Sequence, residues 1–131
     1  MQETGSLAGD TAATALDLPV IDASAVAVLR SIGGNDVLFR RVVTLFLKNV
    51  PESLHKIRTL QYGGDDLDLA DAAHALKSIC ISIGAKRAQY ACHELELLLR
   101  TGQPFDMMEK IEAIAREAEA AVREAVKLRA A

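Results

Sequence analysis

The stretch Ala73 to Gly102, AHALKSICISIGAKRAQYACHELELLLRTG, decides the fold. With Leu69 just upstream, its first part sets out Leu69, Ala73, Leu76, Cys80 and Ile83 in steps of three or four residues, ending at Gly84. Its second part carries Ala88, Ala91, Cys92, Leu95, Leu98 and Leu99 on one side before Gly102. These are two amphipathic helices, and a connection as short as Gly84-Ala85 makes them antiparallel neighbours.

On a wheel of about 100° per residue the first stripe fills an arc of about 80°, and His74 lies roughly 150° from its middle, so its imidazole points to solvent. Ala70, Lys77, Ser78 and Ile81 stand at helical spacing from it on the same outward side. One histidine, one lysine, small residues and an isoleucine resemble a docking surface more than a solubilising face of mixed charge. A solvent-exposed imidazole is largely neutral at pH 7 and keeps a nucleophilic nitrogen, which suits phosphoryl transfer. Lys77, one turn along, is within reach to offset a phosphoryl charge. A surface histidine beside a lysine is more often only a solvated pair, so spacing alone leaves both readings open.

Working outward, three further helices are predicted. Asp22 to Arg30 begins with a capping aspartate and stops at Gly33-Gly34. Asn35 is placed to cap a long segment running to about Leu60, with Leu38, Val42, Leu45, Phe46, Leu54 and Ile57 on its apolar side. Pro51 falls inside it, and a proline that removes a donor and clashes one turn back predicts a kink or break. The third segment opens on Asp65-Asp66, acidic residues suited to a helix N-terminus. The last follows Pro104 with Met108, Ile111, Ala115, Ala118, Val122 and Ala125. The expected architecture is all-α, an up-down antiparallel four-helix bundle with a short additional N-terminal helix over residues 18–131. Residues 1–17, MQETGSLAGDTAATALD, read as a flexible leader or linker.

Composition agrees. The 131 residues are 50% hydrophobic but only 4% aromatic, without Trp, which suits one helical domain better than a sandwich or barrel. A net charge of −3 with both signs mixed offers no basic stripe for nucleic acid. No run reaches about 18 apolar residues and no signal sequence is evident, so a cytoplasmic chain without membrane contact is expected. Cys80 and Cys92 have no metal-ligand spacing and read as small buried hydrophobes.

The run from Ala73 to Gly102 also resembles the signature of histidine-containing phosphotransfer (HPt) domains. It has the AHxLK of Ala73 to Lys77, the Gly84-Ala85 turn, and the C-x-x-LE-x-x-x-R tail from Cys92 to Arg100. The short first helix, the Gly33-Gly34 pair and FLKNVPESLHKIR, Phe46 to Arg58, extend the resemblance over about Val20 to Leu128. The resemblance implies that His74 is the phosphoacceptor, that Lys77 supports the phosphorylated state, and that Glu96 is a polar neighbour of the acceptor. Ser78 stands where the family usually has glycine; a serine is small, and its hydroxyl can bond a phosphoryl oxygen or the His74 carbonyl. Ala70 and Ile81 are assigned to partner docking.

The implied function is that of a phosphorelay carrier: His74 takes a phosphoryl group from a receiver-domain aspartyl phosphate and passes it to another receiver. The domain would be freestanding or the C-terminal module of a hybrid sensor kinase, and monomeric. It has no Walker-type loop for ATP and no cofactor or metal site of its own; Mg²⁺ is expected on the partner receiver. Its standing is that of a carrier rather than an independent enzyme. The rival reading is a non-phosphorylated adaptor that binds a receiver, with Ser78 as its support. His55 and His93 lack the HxLK context and read as surface residues.

Overall fold

Asp22, in extended conformation, accepts the Ser24 backbone N–H on its carboxylate at 3.0 Å and so starts α1, Ala23–Ser31. The computed structural model describes residues 17–131; apart from Asp17, the leader expected over 1–17 lies outside the described residues. The helices α2 (Val37–Gly63), α3 (Asp66–Ile83), α4 (Lys86–Thr101) and α5 (Met107–Ala130) follow, and no strand occurs among the described residues. Each of the four long helices packs against two others, α2 on α3, α3 on α4, α4 on α5 and α5 back on α2. With connections as short as Gly64-Asp65 and Gly84-Ala85, that ring is an up-down antiparallel four-helix bundle, with α1 laid against α2.

The ends of the helices follow local chemistry. Asp65 caps α3 by accepting the Asp68 N–H at 2.7 Å, and Gly84 ends it in the left-handed region that glycine adopts without strain. Gly84 also fastens α1. Its carbonyl accepts the Asp22 N–H at 2.8 Å, and a Cβ there would stand 2.6 Å from that of Ala25. At the other end of α1, Arg30 donates to the Leu128 carbonyl of α5 at 3.0 Å and lies 4.4 Å from the centre of the Phe39 ring.

The core corrects several sequence expectations. In α2 the buried residues are Phe39, Val43, Phe46, Val50, Leu54 and Ile57; Leu45 is exposed, and Leu38 and Val42 are half-buried. Adjacent apolar pairs give this helix two candidate stripes about 100° apart, and packing selects the one bearing both phenylalanines. Asp36, not Asn35, occupies the N-cap position, without a side-chain bond, and both residues have a positive φ of 57°. The helix is not broken at Pro51: it runs continuously to Gly63 with the proline on its exposed side, where water can satisfy the carbonyl left without a donor. In α5, Asp106 rather than Pro104 sets the start, accepting the Glu109 N–H at 3.1 Å. Met108 is exposed, while Ile114 and Ala121 join the core. Cys80 and Cys92 are both free and buried as small core residues; a hydrogen bond to Cys80, with burial, pushes the Cys92 thiol upward and away from the reactive thiolate.

Candidate functional site

The most extensive contact in the bundle is between α3 and α4, and a polar cluster crosses their seam. Ala73, Leu76 and Cys80 are drawn into the core, which turns His74 outward; its side chain is 55% exposed. On α4 the stripe Cys92, Leu95 and Leu99 is buried, and Glu96, next to Leu95, is carried to the edge of the seam. There it is the sole charged residue among the buried ones described.

Three donors converge on the Glu96 carboxylate. His74 Nδ1 lies 3.0 Å from Oε2 and 3.2 Å from Oε1, Lys77 Nζ 2.8 Å from Oε1, and Arg100 Nε 3.1 Å from Oε2. Burial alone would raise this carboxyl. The hydrogen bonds from Lys77, Arg100 and His74, with the Lys77 charge, outweigh that and bring it down to about 2, so Glu96 is ionised. Arg100 is itself held by Asp71 Oδ1 at 3.0 Å.

This arrangement fixes which nitrogen of His74 faces the carboxylate. An ionised carboxylate can only accept, so Nδ1 carries the proton, and in the neutral ring the lone pair lies on Nε2, the nitrogen away from Glu96. An imidazole so held can act as a nucleophile toward a group approaching from solvent, and the carboxylate behind it would balance positive charge that develops on the ring.

The predicted residues do not all fall where the wheel put them. Ser78 is exposed and its hydroxyl bonds back to the His74 carbonyl at 3.2 Å. Ile81 is 52% exposed on the His74 side of α3. Lys77 is not an outward solvated lysine: its side chain is 16% exposed and lies across the seam. Ala70 must be withdrawn from the docking surface, because it is fully buried. Its side chain ends at Cβ, and a helix flanked by both α2 and α4 buries more than the single 80° arc. The apolar residue on that side is Leu67, 65% exposed and seven residues before His74, as Ile81 is seven after. Leu97 of α4 is also exposed. Sequence reading passed over Asp71 and Arg100 as site members, although Arg100 stands at the i+4 spacing from Glu96 that favours an ion pair. It also passed over the bond from Lys77 to the exposed His93, whose Nδ1 is 3.3 Å from Nζ.

The family model described as the Hpt domain matches residues 41–126. Among solved structures, the chain is similar to the crystal structure of histidine-containing phosphotransfer protein B from Pseudomonas aeruginosa. The TM-score is 0.77 at 23% identity, over 85% of this chain and 95% of that one, a likeness of fold. No curated protein matches the chain in sequence.

Proposed function

The chain belongs to the Hpt domain family, and from that premise we propose that it relays phosphoryl groups between receiver domains on His74. The observation that carries the reading is the Nδ1 bond to Glu96 on an exposed side chain, which in the neutral ring puts the lone pair on Nε2, away from the carboxylate. In the forward step Nε2 attacks the phosphorus of a receiver's aspartyl phosphate. A P–N bond forms as the P–O bond to the aspartyl carboxylate breaks, and that carboxylate leaves unprotonated. The ring acquires positive charge with its Nδ1 proton facing Glu96; donation to a second receiver is the reverse.

Positioning and charge supply most of what this chemistry needs. Lys77, already tied to Glu96, is the cation nearest the acceptor along α3 and takes up phosphoryl charge; the receiver contributes Mg²⁺ and its own catalytic groups. Leu67 and Ile81, two turns either side of His74, frame the docking face with Leu97, and Ser78 permits close approach between them. No described helix is long and apolar enough to cross a membrane, consistent with a cytoplasmic module, alone or at the end of a hybrid sensor kinase. One outward face for the partner and a bundle closed on itself support a monomer.

Incubation with a phosphorylated receiver tests the reading. Label that is acid-labile, alkali-stable and lost in His74→Gln is expected. Receiver binding of equal strength in both proteins with no label transferred would replace the relay with the adaptor.

A further inference from the structure

The Lys77 ammonium is divided between two acceptors, Glu96 Oε1 at 2.8 Å and, on its other side, His93 Nδ1 at 3.3 Å. An ammonium has only protons to give, so the second bond exists only while His93 Nδ1 is unprotonated. The two imidazoles at the seam are thus held in opposite fashion: His74 carries a proton on Nδ1, and His93 presents a bare Nδ1. His93 borders a groove of about 370 Å³ whose wall also includes Lys77, Lys86 and Tyr90. The charged and titratable groups around it are Lys77 from α3, Lys86 and Tyr90 along its own helix, Glu96 beyond Lys77, and Glu94 beside it. The Glu94 carboxylate is bonded by Lys110 of α5 at 3.1 Å.

We propose that His93 is a positioning residue for Lys77: its unprotonated Nδ1 holds the ammonium back along the seam, and protonation of the ring releases Lys77 toward a phosphoryl group on His74. The inference rests on His74 carrying that group. Once protonated, the His93 ring loses its acceptor and repels the ammonium, while Glu96 still tethers Lys77 close to His74. No longer drawn toward His93, Lys77 then swings its freed donor toward phosphoryl oxygen, and the P–N bond is protected for longer.

The full chain can be loaded with phosphoramidate, which needs no receiver, and the decay of the phosphohistidine signal followed by ³¹P NMR. Each variant is compared at the same pH, which cancels the intrinsic acid lability of the P–N bond. In His93→Gln a carboxamide oxygen accepts from Lys77 at every pH, and in His93→Leu nothing does. The lifetime ratio of the natural protein to His93→Gln should be near one at about pH 8 and rise to roughly threefold at about pH 5.5. His93→Leu should exceed His93→Gln by roughly threefold at both values. A ratio of the natural protein to His93→Gln that stays flat across the range would overturn the proposal. A chain that takes no phosphoryl group, or takes it equally as His74→Gln, fails the relay reading instead. The positioning is then judged on the unphosphorylated protein by long-range ¹H–¹⁵N spectra: Lys77→Met must move the His93 Nδ1 resonance, and an unmoved resonance overturns it.

Discussion

Glu96 does two things at once: it is a buried charge that three donors keep ionised, and it is the group that chooses the nitrogen His74 offers. Its carboxyl is depressed from an ordinary 4.5 to about 2, so the stabilisation is complete above the ordinary value and is lost as pH falls from there toward 2. Glu96→Gln leaves Lys77 without its carboxylate, and should lower stability by about 2 kcal/mol or more at pH 7. Urea titrations at falling pH should show the gap to the natural protein closing below the ordinary carboxylate value; a gap independent of pH would contradict the ion-pair account. The same variant should slow phosphoryl transfer by roughly tenfold or more, since the imidazolium formed on attack loses its counter-charge. Ser78 gives a milder case. Ser78→Gly removes the bond to the His74 carbonyl and introduces a helix-interior glycine, costing about 0.5–1 kcal/mol in thermal or urea melts, while the added clearance should raise the transfer rate from a receiver.

Among the elements, the α3–α4 hairpin builds the site and α1 braces its turn. Gly84 joins the two functions: its φ is +78° and a side chain there would meet Ala25. Gly84→Ala combines backbone strain with that overlap and should lower stability by about 2 kcal/mol, with amide exchange rising first in α1. Exchange rising evenly through the bundle would show that α1 is not separately held. This hairpin was also the most legible part of the sequence, because each helix carries one sustained stripe that packing does bury and its stops are glycines. The α2 helix was legible in existence but not in facing, since Val42-Val43 and Leu45-Phe46 put apolar groups on two adjoining sides and periodicity cannot choose between them. Of the site, His74 and Lys77 could be read from the helical spacing, and Glu96 from the family resemblance. Arg100 carried a signal in its i+4 spacing from Glu96, whereas Asp71 and His93 could not be placed there, because their roles depend on the register of α4 against α3, which a single-helix wheel does not contain.

At the scale of the whole bundle, scaffold and chemistry are separable even where they are two residues apart. Leu76 is completely buried between neighbouring helices, and His74 lies outside the core with one bond holding it. Leu76→Ala removes apolar contact from a core that all four long helices share, and should cost about 2–5 kcal/mol as one cooperative transition. His74→Gln keeps an amide N–H that can donate to Glu96 and opens no cavity, so its unfolding midpoint should stay within about 0.5 kcal/mol of the natural protein. Yet only His74→Gln should abolish phosphoryl acceptance, while Leu76→Ala, assayed well below its midpoint, should still be labelled. Paired denaturation and labelling measurements decide the matter. Equal destabilisation by the two substitutions would mean that the imidazole is part of the packing, and an exposed nucleophile on an independent scaffold would no longer describe this bundle.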